Sequence, residues 1–154
     1  MPQGSNEMIQ LELSSNANEV VARLGRLHPL ISQAIIKALN LSALVVKTQA
    51  KMLAPTRTGN LRASIGSRVE GLRQEAFVGS PVEYAGYVHD GTRPHPIYPS
   101  AKKALFWKGA AHPVKFVRHP GTKAQPYLKD ALHNNVDNIR DFFIREINLA
   151  IERV

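Results

Sequence analysis

Ile31, Ala34, Ile35, Ala38, Leu41, Val45, Thr48 and Met52 recur at three- and four-residue intervals, and the pattern stops before Pro55. That spacing lays one apolar stripe along a helix of about 25 residues, which a proline then ends. A second stripe, Leu128, Leu132, Val136, Ile139, Phe143, Ile147 and Ile151, with Phe142 and Val154 beside it, predicts a long C-terminal helix. Pro126 stands at its favoured first-turn position. Whatever lies between must be built on these two helices.

The intervening elements read as short. Met8 to Leu13 alternates apolar and polar residues, the pattern of a half-buried strand, and Ser14-Ser15-Asn16 ends it. Asn16 then caps a short helix from Ala17 to about Leu27, and Pro29 opens the long one. Pro55 to Asn60 is a turn, with Thr58 or Asn60 capping a further helical turn. Ser64–Glu70 and Glu75–Ser80 form two strands around Gly71, with Ile65, Val69, Ala76 and Val78 inward. Tyr84 to Val88 suits a short helix stopped by Gly91. Arg93 to Gly121 carries Pro94, Pro96, Pro99, Pro113 and Pro120, too many for a helix, and predicts an extended ribbon. Ala104–Trp107 and Val114–Arg118 are the arms of a hairpin within it. The expected fold is α+β: an antiparallel sheet, two long helices on one face, and a protruding Pro-rich basic hairpin. One domain spans residues 1–154, with residues 1–7 a loose terminus and 93–123 the extended arm. Two phrases echo each other, Tyr87 to Pro94 and Phe116 to Ala124, each with a Gly-Thr-basic turn, which reads as convergent turn chemistry.

Composition narrows the function. An apolar fraction of 44% and a charged fraction of 21% suit a globular chain of 154 residues. With no cysteine, neither a disulfide framework nor a thiolate zinc site is expected, which fits folding in a reducing cytoplasm. No apolar run approaches the roughly 20 residues that cross a bilayer, the N-terminus lacks the order of a secretion signal, and no membrane partner is expected. The net charge of +8 is uneven. Residues 47–123 hold 13 basic and four acidic side chains, while residues 1–46 balance at three each and residues 124–154 hold four and five. A polyanionic partner is therefore worth weighing for the centre.

Catalytic sets are missing. His89, His95, His112 and His119 lack the tight spacing and completing carboxylate of a zinc site, and read as exposed loop histidines. No Gly-x-Ser-x-Gly elbow, phosphate loop or dinucleotide fingerprint occurs. Glu70, Glu75, Glu83 and Asp90 are dispersed, and Asp90 before Gly91-Thr92 suits a turn. No enzyme, cofactor or metal is expected. The ribbon instead interleaves Lys102, Lys103, Lys108, Lys115, Arg118 and Lys123 with Tyr98, Phe106, Trp107 and Phe116. Such cations suit phosphates, and such rings suit unpaired bases or a neighbouring subunit. Nothing resembles a recognition helix, so any contact with DNA is non-specific.

Three blocks carry a resemblance. They are Ala54-Pro55-Thr56-Arg57-Thr58-Gly59-Asn60-Leu61-Arg62-Ala63-Ser64-Ile65, then Val78 to Ala85 with Tyr87-Val88-His89-Asp90-Gly91-Thr92, then Gln125-Pro126-Tyr127-Leu128-Lys129-Asp130-Ala131-Leu132. In that order, with a long helix at each end, they resemble the small gene-product-ten-like tail components of lambda-type tailed phages. The family phrase has Glu where His89 or Asp90 stands. The resemblance implies a neck or tail-completion protein, a subunit of a ring, six-fold by that likeness. Its implied partners are further copies, the head-side connector, the tail terminator or tail tube, and packaged DNA held non-specifically. Interface candidates are Arg57, Arg62, Tyr84, Tyr87, His89, Asp90, Thr92, Arg93, Tyr98, Phe106, Trp107 and Tyr127. Lys102, Lys103, Lys108, Lys115, Arg118 and Lys123 are the DNA-facing candidates. Two alternatives stand beside it: the tail terminator of the same particle, and a nucleic-acid-binding module or ribonuclease-type toxin using Arg57, Arg62, His89, Lys102 and Lys103.

Overall fold

A computed structural model describes residues 4–100 and 103–154, with side chains from Ala17 onward. In chain order the elements are α1 (Gly4–Leu53), α2 (Asn60–Ser64), β1 (Gly66–Glu70), β2 (Glu75–Gly79), α3 (Ala85–Asp90), β3 (His95–Ile97), β4 (Val117–His119), α4 (Tyr127–His133) and α5 (Val136–Ile151). The class is α+β, but the strands make two separate two-stranded sheets, β1–β2 and β3–β4, instead of one.

The N-terminal expectations are corrected. Met8 to Leu13 is helical, not a strand, and no break separates it from the long helix. Only Ile9 in that stretch is β-branched, and Glu, Met, Gln and Leu are strong helix formers. A six-residue alternation is also short enough to fit either period. Pro29 lies inside α1. It removes one bond, to the Gly25 carbonyl, at roughly 3 kcal/mol, and the helix continues past it.

The buried line of α1 advances in steps of four, Ala34, Ala38, Ser42, Val46 and Ala50, and Ala54 continues it just past the helix end. Small side chains there let neighbouring elements approach the helix backbone closely. The buried Ser42 hydroxyl is satisfied by donating to the Ala38 carbonyl at 2.7 Å. Met52, placed inward by the sequence pattern, is 73% exposed. Between Ala17 and Leu53 one 18-residue window reaches a mean hydropathy of 1.6, with 28% of it buried. By length and composition alone α1 is thus apolar enough to cross a bilayer, which corrects the expectation above. Apolar residues dominate the average although polar ones such as Asn40 and Ser42 are interspersed, and the core helix of a soluble protein passes the same test.

The expected C-terminal helix is two helices, parted at Asn134-Asn135. Asn135 leaves helical geometry (φ −115°, ψ 10°), while its carbonyl accepts the first bond of α5 from Ile139 N–H at 2.9 Å. Its side-chain oxygen accepts from Asn138 Nδ2 at 3.0 Å. Leu132, Val136 and Ile151, assigned to the apolar stripe, are about half exposed.

The contacts divide the chain into two units. The first comprises the chain up to Val46 with Ser67–Val78 and Asn134–Val154. Here Leu30, Gln33, Ala34 and Lys37 of α1 face Glu146, Leu149 and Ala150 of α5, with Arg153 just beyond it, across a small cavity. Gly71, in the turn between β1 and β2, lies over Ile36, so that even a methyl group there would touch it at 3.4 Å. On this hairpin Arg68 pairs with Glu70 at 2.9 Å and covers the Phe77 ring at 5.1 Å. The second unit is Lys47–Gly66 and Gly79–His133, and its core is Ala50, Ala54, Leu61, Ile65, Ala85, Tyr127 and Ala131.

Ala38 has no exposed surface. Ala38→Leu should therefore overpack the first unit and lower the urea midpoint by the equivalent of about 1–3 kcal/mol. An unchanged midpoint would show that the face of α1 at Ala38 has room to spare.

Candidate partner-binding groove

The second unit is assembled by polar links between segments far apart in sequence. The Ser64 hydroxyl donates to the Leu61 carbonyl at 2.7 Å, which leaves its oxygen to accept from Ser80 Oγ, also at 2.7 Å. Ser80 Oγ in turn accepts from Val82 N–H at 3.3 Å, so the chain of donors has one direction. Asn60 Nδ2 donates to the Tyr84 hydroxyl at 3.2 Å, and Arg62 reaches the Ala54 carbonyl at 3.4 Å. Gln125 N–H donates to the Val88 carbonyl at 3.0 Å.

The two Gly-Thr turns are partners. Thr92 N–H donates to Thr122 O at 3.0 Å, and Thr122 N–H to Thr92 O at 3.1 Å. Their hydroxyls lie 3.0 Å apart, and Thr92 Oγ1 also accepts from Thr122 N–H at 3.0 Å. Gly91 (φ 73°) and Gly121 (φ 86°) hold left-handed backbone on either side. A Cβ on Gly91 would lie 2.6 Å from the Thr122 oxygen, and one on Gly121 would strike the Thr92 oxygen and come within 3.1 Å of Pro94 N. Only glycine allows this approach. The echo in the sequence is therefore the two halves of one clasp.

Beyond the clasp, β3 and β4 pair antiparallel in the same frame, His95 with His119, Pro96 with Arg118 and Ile97 with Val117. Leu105 and Val114 make a further two-bond bridge. The His95 and His119 rings lie 5.2 Å apart. His119 Nδ1 accepts from Gly121 N–H at 3.1 Å, and His95 Nδ1–H donates to the Arg93 carbonyl at 2.9 Å. Among the described residues no group of three or more His, Asp or Glu is placed to hold a metal.

These segments wall a groove of about 770 Å³. Pro55, Arg57, Thr58, Asn60 and Leu61 form one side; Tyr84, Tyr87 and Val88 of the α3 segment form another; Thr92, His95, His119, Thr122, Lys123 and Gln125 complete it. Its volume suits a ligand or a short peptide segment. The wall contains Arg57 and Lys123 but no Asp or Glu. The whole second unit holds 12 Lys and Arg against three acids, net +9, whereas the first holds eight against nine.

Arg57, Tyr84, Tyr87, Thr92 and Lys123, all named from sequence, line this groove. Arg62 does not; it braces the end of α1. Arg93 borders a shallower hollow with Tyr87, and Tyr98 borders another with Phe116, its ring 6.0 Å away. Phe106 and Trp107 are 67% and 51% exposed. Lys103, Lys108, Lys115 and Arg118 are exposed, and Lys102 lies outside the described residues. His95, His119 and Thr122 were missed as a group; the Gly-Thr echo was the signal that would have joined them.

Tyr127 is 2% exposed and belongs to the core, edge-on to the His89 ring at 5.5 Å. His89 Nδ1–H donates to Asp90 at 2.7 Å. Its Nε2 and the Tyr127 hydroxyl are both buried, with no hydrogen-bond partner among the described residues. Burial, followed by the proximity of Tyr84, raises the pKa of Tyr127 above 10.0.

The family described as "Bacteriophage HK97-gp10, putative tail-component" matches residues 18–91, just under half of the chain. Residues 18–91 are similar to this gp10-like tail-component family. The match covers α1 from residue 18, the β1–β2 hairpin and α3 up to the first glycine of the clasp. The match supports a structural role in a phage tail, among other virion proteins. No curated protein and no solved structure matches the chain.

Gly121→Ala should destabilise by more than the roughly 1–2 kcal/mol that left-handed backbone alone costs. Gly109→Ala is the control, with φ 99° but nothing within 4 Å of the added methyl. Equal urea midpoints for the two would remove the clasp's close approach from the account. Tyr127→Phe deletes a buried, unpaired hydroxyl and should leave stability unchanged or raise it by about 1 kcal/mol. Because the folded pKa exceeds the unfolded one, Tyr127 lends stability that is full below about pH 10 and is lost as pH rises through the folded value. The phenylalanine variant should show a shallower loss of melting temperature above pH 10.

Proposed function

We propose that this chain is a non-catalytic ring subunit at the neck of a tailed phage, joining the head-side connector to the tail terminator or tail tube. The family match carries the reading. A groove with cationic and aromatic walls and exposed aromatics on the ribbon supply distinct surfaces. Head-to-tail contacts of the kind that close rings need two such surfaces on each copy. Charge divided between a +9 unit and a −1 unit supports neighbours of opposite character, and it suits loose proximity to packaged DNA. The tail terminator of the same particle is the second reading, favoured by the same match.

His89 counts against the ribonuclease-type alternative. Its one ring nitrogen not held by Asp90 is buried, where it has no access to a phosphodiester. The carboxylate beside it is 78% exposed and serves to hold the ring.

Imaging of particles and the mass of the purified protein test the reading directly; a ring, or density at the head–tail junction, is expected. Replacing residues 103–116 with a short Gly-Ser link retains β3 and β4, so the chain should fold. Heads and tails should then accumulate unjoined, and a normal yield of infectious particles would sink the proposal. RNA cleavage lost on His89→Ala would overturn it in favour of the alternative.

A further inference from the structure

In α1, every residue from Ala17 to Arg26 is exposed. Val20, Val21 and Leu24 are 53%, 68% and 58% exposed, and Val20 and Leu24 stand one turn apart on the same face. A helical stretch that buries nothing is marginal in water, because packing of an apolar face supplies most helical stability. Something must cover this face for it to persist.

The same chain offers a surface that fits. The groove of the second unit offers half-buried Val88, the exposed rings of Tyr84 and Tyr87, and Arg57 and Lys123 unopposed by any acid in the wall. Residues 4–22 hold Glu7, Glu12 and Glu19 and no Lys or Arg. The ribbon's aromatics are the competing occupant, but they are interleaved with Lys103, Lys108 and Lys115, which the groove's own cations repel. A nucleic acid would satisfy the cations and leave Val20 and Leu24 bare.

We infer that the N-terminal part of α1 in one copy docks, through Val20 and Leu24, into the basic groove of the second unit of another copy. This is helix-in-groove recognition, with apolar anchors one turn apart and acids meeting basic walls. Each copy then gives one helix and receives one. The contact is heterologous, and a closed ring leaves neither surface free. The inference names the contact for the ring proposed above and rests on that reading.

The absence of native cysteine makes the test clean. Full-length Leu24→Cys and Tyr87→Cys chains are mixed and oxidised; each carries one thiol, so every disulfide joins two copies. The narrow geometry of a disulfide reports the contact. The mixed Leu24–Tyr87 dimer should exceed both self-pairs severalfold. Adding Arg57→Glu and Lys123→Glu to the Tyr87→Cys chain should abolish it while circular dichroism stays unchanged. A dominant Leu24–Leu24 dimer would mean a symmetric helix pair and overturn the inference. So would protection of the Leu24→Cys thiol by lipid vesicles, or a mixed yield no higher than that between two Leu72→Cys chains, whose site is fully exposed. Rings found by mass without the mixed cross-link defeat this contact and leave the neck reading intact. The cross-link in a protein missing from the head–tail junction does the reverse.

Discussion

The mutual pairing of Thr92 and Thr122 is the constraint on which the second unit depends. It joins segments 30 residues apart through two backbone bonds and a hydroxyl contact, and it requires both flanking glycines to carry no side chain. A two-stranded ribbon such as β3–β4 is marginal in isolation. Here it follows directly on the clasp, in the same frame of pairing. The groove has its Thr92, His95, His119 and Thr122 side because those residues lie on either arm of that pairing.

Polar links outside the clasp join the three sequence blocks of the resemblance. Ser64 and Ser80 tie the first to the second, as do Asn60 and Tyr84. Gln125 and Val88 tie the second to the third, just beyond the clasp. Each is a modest bond, worth about 1 kcal/mol, and none needs a large apolar core. That suits a unit whose buried side chains are mostly alanine, with Leu61, Ile65 and Tyr127 the large exceptions. The first unit solves the same problem differently, by laying α5 along the small-residue face of α1.

How much of this was legible follows from the range of each interaction. The β1–β2 hairpin and the stop of α3 at Gly91 are set by neighbours in sequence and were read correctly. The unbroken α1 was not, because Pro29 and the alternation from Met8 to Leu13 are local signals that helix propensity outweighs. The break at Asn134-Asn135 was hidden for the opposite reason. Leu132, Val136 and Ile139 keep the helical period across it, while Asn135 leaves helical geometry and bonds locally. Of the groove, the tyrosines and Arg57 were visible as residue types; the histidine pair was not, since its register is fixed by the clasp.

Burial of polar groups beneath the groove is the remaining asymmetry. His89 is fixed from outside by Asp90, and its inner nitrogen and the Tyr127 hydroxyl share a buried region without pairing. A buried unsatisfied polar atom costs about 1–3 kcal/mol, so two of them weaken the unit just where Tyr84 and Tyr87 face the groove. In the proposed helix-in-groove contact, an occupant would pack against Tyr84 and Tyr87 and so brace α3. In the proposed ring, a unit with few large buried side chains would gain from assembly what it lacks in its own core. Under that proposal, the surfaces that join copies and the stability of the unit that bears them are one property.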